Sequence, residues 1–224
     1  MKNKKIIVAI DTRDRDQALN ILIGLDPKLC MVKIGSVNFN SLGSEFIEKA
    51  YEKGFNVFLD LKLHDIPNTV KKSILGMRDL PIQMLTIHIS GGLDMMRAAM
   101  EAVDGTNILI FGVTALTSLS DIDSERIFQR DAYSQVSSML DLAEEGGIHG
   151  VVLSPHELKL VTQRQSLLSI TPGIRLHDLK DDQKRFMTPK EAVDLGADFI
   201  VIGRPITASN DIKKSLNEIY ESIV

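Results

Sequence analysis

A chain of 224 residues, 44% hydrophobic and 25% charged, is long enough to bury a large core and too ordinary in composition to be disordered. Its formal net charge of −4 argues against a general nucleic-acid or membrane-binding surface, but leaves room for a local basic pocket that takes a small anion. The single cysteine, Cys30, excludes an internal disulfide and reads as a small core residue.

The first apolar run, 6–10, predicts a buried strand that ends at Asp11. It is too short for the hydrophobic region of a signal peptide, and no stretch approaches the length of a membrane span, so a reducing cytoplasm is the expected location. Helical spacing follows over 14–25, then a strand over 31–35 interrupted by Lys33. A helix is predicted over 40–53 and closed by Gly54. A strand over 57–62 leads into a helix over 68–80. The fourth strand covers 84–88, and Gly91 and Gly92 open a helix that runs to Val103. The fifth strand covers 108–113 and is followed by helical patterns over 124–129 and 133–145. A strand over 150–153, a helix over 155–163 and a strand over 168–171 come next. A polar stretch, 175–185, precedes a helix over 189–195, a strand over 199–203 and a last helix over 206–223.

Eight buried strands alternating with helices, at about 28 residues per unit, predict a parallel sheet closed as a single-domain (β/α)8 TIM barrel over 1–224. An open doubly wound sheet is the alternative, but the turn after the first strand carries no Gly-x-Gly-x-x-Gly.

In such a barrel the site lies at the C-terminal ends of the strands. The third strand is the most informative. Leu59, Leu61 and Leu63 alternate with Asp60 and Lys62, which places an acid and a base side by side on the inward face. Burying charges is costly unless they pair. Asp65 follows just past the strand, and Pro67 fits the first turn of a helix. Two carboxylates and an ammonium are therefore expected to share one corner, either as a reactive site or as an ion pair that only braces the strand. Asp11, Lys33, His88, Thr114, Thr117, Ser118, Ser120 and Ser154 fall at the same rim.

The loops after strands seven and eight carry Gly173 with Arg175 and Gly203 with Arg204. Barrels frequently bind phosphate there, with glycine admitting backbone N–H groups and arginine forking onto the anion. The start of the following helix is expected to add its positive end. The segment 177–185 reads as a lid. His64, His88, His149, His156 and His177 show no metal spacing, so no metal site is expected, and His64 reads as facing away from Lys62 and Asp65. A lysine flanked by acids is suited to facing a developing carbanion and then protonating it, and ill suited to Schiff-base work.

Asp60-x-Lys62-x-x-Asp65-Ile66-Pro67-Asn68-Thr69 resembles the signature of the orotidine 5′-phosphate decarboxylase family. Ala9-Ile10-Asp11, Val32-Lys33-Ile34-Gly35, Thr171-Pro172-Gly173-Ile174-Arg175 and Ile202-Gly203-Arg204-Pro205 fall in the matching order, and the resemblance covers the whole chain. It implies decarboxylation of orotidine 5′-phosphate to UMP and CO2, with no metal or cofactor. It implies Lys62 as proton donor, Asp60 beside the substrate carboxylate, and Asp11 and Lys33 on the ribose hydroxyls. Asp65, Ile66 and Thr69 would reach into the site of a second subunit in a homodimer. Thr117 and Pro172 would contact the substrate, Ser120 would meet the pyrimidine edge, and Gln183, Arg175, Gly203 and Arg204 would hold the phosphate. Metal-dependent sugar-phosphate relatives share the Asp-x-Lys-x-x-Asp core; they carry an acid on strand two, where this chain has Lys33. A nucleotide-binding barrel without catalysis is a third possibility.

Overall fold

The computed structural model describes residues 5–164, 166–175 and 187–224. Eight parallel strands pair in chain order: β1 (Ile6–Ile10), β2 (Cys30–Gly35), β3 (Val57–Leu63), β4 (Met84–His88), β5 (Leu109–Val113), β6 (Gly150–Val152), β7 (Leu168–Thr171) and β8 (Phe199–Ile202). Ile6, Ile7 and Val8 of β1 also pair with Ile200, Val201 and Ile202 of β8, so the barrel is closed. Between the strands run α1 (Arg15–Gly24), α2 (Ser36–Glu52), α3 (Pro67–Leu75), α4 (Gly92–Val103), α5 (Asp121–Phe128), α6 (Ala132–Glu145), α7 (Leu158–Thr162) and α8 (Pro189–Asp194). After β8 come α9 (Arg204–Thr207) and α10 (Ile212–Ser222).

The two-residue period of each strand sorts its side chains into two apolar layers. Ile7, Met31, Phe58, Met84, Phe111, Ile170 and Phe199 point into the lumen and fill it. Phe111 sits between Phe58 and Phe199, with ring centroids 6.4 Å from each. The opposite faces, including Val8, Val32, Leu59, Leu85 and Ile110, pack under the helices. Above the lumen plug, buried polar groups gather on β2, β3 and β4: Asp60 and Thr86 are buried, and Lys33 is nearly so.

Helix boundaries differ most from the sequence pattern at α2, α3 and the last helix. α2 begins at Ser36, four residues before the expected start, and is kinked at Gly43, whose φ of 69° only glycine adopts freely. α3 stops at Leu75 instead of running to Leu80. The predicted last helix is two helices. Asp211 accepts a hydrogen bond from Lys214 N–H at 2.9 Å and caps α10, so the chain turns after α9 before helix resumes.

The third strand departs from a regular ladder where the charged residues lie. Leu59 pairs with Leu85 and Leu63 with Ile87, so β3 uses more residues than β4 between the same two rungs. Lys62 absorbs the excess in a left-handed conformation, φ 52°.

Candidate active site

Lys33, Asp60 and Lys62 are brought together at the C-terminal ends of β2 and β3. Lys62 Nζ lies 2.8 Å from both Asp60 oxygens, and Lys33 Nζ lies 3.2 Å from Asp60 Oδ2. Gly35 makes room for this: a Cβ there would sit 3.1 Å from Lys33 Nζ. Burial pushes the Asp60 carboxyl up, but the charges of Lys33 and Lys62, with hydrogen bonds from Lys62 and Thr86, overcome it and hold the group below its ordinary range.

The corner is therefore one carboxylate between two ammonium groups, not one ammonium between two carboxylates. Within a single chain Asp65 does not pair with Lys62. It is exposed on the turn before Pro67, and its Oδ1 accepts from the Ile66 N–H at 2.7 Å. Ile66 and Thr69 are exposed beside it at the start of α3.

A cavity of about 210 Å³ opens over this cluster. Lys33, Asp60, Lys62, Thr117 and Pro172 contribute to its wall, and Phe58, Val113, Leu116, Val152, Ile170 and Val201 make the rest mostly apolar. Such a pocket, with few convergent polar groups, suits a small planar ligand held by one polar edge. The Lys62 side chain is 36% exposed and that of Lys33 15%, so Lys62 presents the more accessible ammonium to the cavity.

Other predicted site residues lie around this centre. Asp11 is exposed at the end of β1, and Lys33 pairs in register with Ala9 two residues before it. Ser120 lies off the cavity wall as the N-cap of α5; its hydroxyl donates to Asp123 Oδ2 at 2.6 Å and accepts from the Asp123 N–H. Thr114 and Ser154 likewise serve the backbone, donating to Val152 O and accepting from the His156 N–H. Gly173 has φ 81°, a conformation that requires glycine, and Arg175 beyond it is buried. Gly203 caps α9 and Arg204 is its first, exposed residue. α9 has only four residues, so its dipole adds less than the expected long helix would. Gln183 and the expected lid, 177–185, lie outside the described residues.

The sequence pattern does not single out Thr86. It is fully buried on β4 and touches both Asp60 and Lys62: its hydroxyl donates to Asp60 Oδ1 and accepts from the Lys62 N–H, each at 2.9 Å. The available signal is a lone polar residue in the apolar run Met84-Leu85-Thr86-Ile87. His64 packs against His88, with ring centroids 5.1 Å apart. Burial, then the charges of His64 and Lys62, hold His88 below the ordinary histidine range. Among the described residues, no group of three or more His, Cys, Asp or Glu side chains is placed to hold a metal ion. Among them, too, no helix is long and apolar enough to cross a membrane.

The chain is similar in sequence and fold to known proteins. The family model for "Orotidine 5′-phosphate decarboxylase / HUMPS family" matches residues 4–219. The chain belongs to this family. An orotidine 5′-phosphate decarboxylase of Wolbachia pipientis is 44% identical over 221 residues, covering 97% of this chain and 98% of the relative. One from Shewanella sediminis is 41% identical over 230 residues, covering 100% and 98%. The crystal structure of orotidine 5′-phosphate decarboxylase from Lactobacillus acidophilus superposes with a TM-score of 0.86 at 34% identity, covering 98% of each chain.

Proposed function

We propose that this chain decarboxylates orotidine 5′-phosphate to UMP and CO2, the last step of de novo UMP synthesis, using only its own side chains. Family membership supports the reaction. The observation that carries the mechanism is Lys62 Nζ, held 2.8 Å from Asp60 at the mouth of an apolar-walled cavity.

The pyrimidine occupies the cavity with its C6 carboxylate beside Asp60. When the C6–carboxylate bond breaks, CO2 departs and the electron pair stays on C6. The Lys62 ammonium faces that pair, stabilises it and donates a proton to C6, giving UMP; solvent then reprotonates the amine. A fixed charge acting on charge that develops only in the transition state accelerates the step itself. Asp60 adds a smaller effect. Two like charges at 4 Å repel by about 4 kcal/mol at an effective dielectric of 20, and loss of CO2 relieves this.

Lys33 and Asp11 bind the ribose hydroxyls, and Thr117 and Pro172 line the base. Ser120 reaches the pyrimidine edge only by giving up its cap on Asp123. Arg175, Gly203, Arg204 and Gln183 hold the phosphate. Ile66 is 67% exposed beside Asp65 and Thr69, as expected of a surface that completes the site of a second copy in a homodimer. The whole chain acts as one catalytic domain in the cytoplasm.

The test is turnover of orotidine 5′-phosphate, followed by ultraviolet absorbance in the presence of EDTA. Full activity is expected. Folded protein that gives no turnover rejects the reading, and activity that needs added Mg²⁺ transfers the chain to the metal-dependent sugar-phosphate relatives. Tight UMP binding without turnover, unchanged by Lys62→Ala, marks a non-catalytic barrel.

A further inference from the structure

We infer that the Thr86 hydroxyl is a positioning group for this decarboxylation, fixing the Asp60 carboxylate and the Lys62 backbone relative to one another. The inference rests on the functional reading above and concerns a residue that does not line the cavity.

A threonine hydroxyl has one proton to donate and lone pairs to accept with. Lys62 offers only an N–H, so Thr86 Oγ1 accepts from it, and its own proton points at Asp60 Oδ1. The acceptor and donor roles are thus both assigned by the partners. The bulge in β3 is the reason the contact exists. Lys62 lies between the Leu59–Leu85 and Leu63–Ile87 rungs, and its N–H is met by a side chain. In a left-handed conformation this residue needs its surroundings to hold it. The one hydroxyl that takes up its N–H also grips the carboxylate that orients its ammonium.

Asp60 is accordingly fixed from three strands. Oδ2 receives Lys33 Nζ from β2 and Lys62 Nζ from β3; Oδ1 receives Lys62 Nζ and Thr86 Oγ1 from β4. Without the hydroxyl, the carboxylate is free to rotate about its lysine contacts and the Lys62 backbone loses its anchor. The ammonium then no longer stands where the C6 electron pair appears. Misplacement of about 1 Å costs up to about 100-fold in rate. Thr86 also helps keep Asp60 ionised, alongside Lys33 and Lys62, with His88 on β4 and His64 behind it as the neighbouring titratable groups.

The test compares Thr86→Val, which keeps the shape and deletes the hydroxyl, with Thr86→Ser, which keeps the hydroxyl. Turnover is expressed per UMP-binding site, measured by calorimetry, so an unfolded fraction does not count. Thr86→Val is expected to lower kcat about 10–100-fold with UMP affinity unchanged, and to move the acid limb of kcat to higher pH. Thr86→Ser is expected to restore both. The pair Thr86→Ser and Thr86→Ala, both without the methyl and differing only in the hydroxyl, gives the same comparison if the valine variant does not fold. A valine or alanine variant with parental kcat per site overturns the assignment, as does a serine variant impaired as much as they are. If the parent itself does not turn over orotidine 5′-phosphate, it is the functional reading that fails; an active parent with an active Thr86→Val leaves that reading intact and removes only the role of Thr86.

Discussion

Lys33 reaches across from the adjacent strand to within 3.2 Å of Asp60, so the carboxylate that orients Lys62 keeps a positive partner whatever happens to Lys62. This separates the chemistry of Lys62 from the stability of the cluster, because losing one partner does not strand a buried charge.

Lys62→Ala is therefore expected to fold and to bind UMP, while kcat falls by at least about 1,000-fold, the scale of losing a general acid and an electrostatic stabiliser together. Stopped assays of turnover, paired with UMP calorimetry, check it. Near-parental rates would refute the assigned role.

Arg204 should act on the phosphate and not on the base. Charge-assisted hydrogen bonds contribute about 1.5–3 kcal/mol, so Arg204→Ala should weaken UMP binding about 10–100-fold and leave uridine binding unchanged. It should also slow turnover, since remote binding energy helps to seat the reacting ring. Equal losses for UMP and uridine would show that the residue serves the fold.

The exposed position of Asp65 leads to a mixing experiment. If it completes a second copy's site, Asp65→Asn and Lys62→Ala are each inactive as pure dimers. Random exchange between them creates mixed dimers in which one site is wholly intact, restoring about a quarter of parental activity. Mixtures that stay inactive after proven subunit exchange would confine Asp65 to its own chain.

His88 predicts how stability follows pH. Its folded-state pKa is depressed, first by burial and then by His64 and Lys62, so its contribution is complete above the ordinary histidine value of about 6.5 and is lost as pH falls toward the lower folded value. The melting temperature should drop between about pH 7 and pH 5, and the drop should be shallower in His88→Asn. Asp60, also depressed, contributes fully above the ordinary carboxylate value of about 4 and loses its contribution only in stronger acid, so it does not confuse that window. An identical pH slope in parent and variant would contradict the assignment.

Much of this architecture is legible in the sequence, for reasons tied to particular residues. The alternation of Leu59, Leu61 and Leu63 with Asp60 and Lys62 names the inward charges because strand side chains have a fixed period. The apolar runs and their spacing give the closed barrel because each strand is buried on both faces. Thr86 is not legible, because its role depends on its place opposite the β3 bulge, and no local pattern announces that register. The single-chain environment of Asp65 is misjudged because sequence proximity to Lys62 says nothing of where a turn points. The break between α9 and α10 is hidden because no glycine or proline interrupts 206–223, while the capping signal, Asp211, is a single residue.

Two ammonium groups around one carboxylate also leave a surplus positive charge at the cavity of a protein whose overall balance is −4. An anionic ligand thus approaches a molecule that repels it at long range and attracts it at the mouth. Ions in solution shorten the range of both effects, to about 10 Å at 0.1 M. Modest salt should speed the encounter by muting the distant repulsion, and only high salt should slow it by masking the lysines.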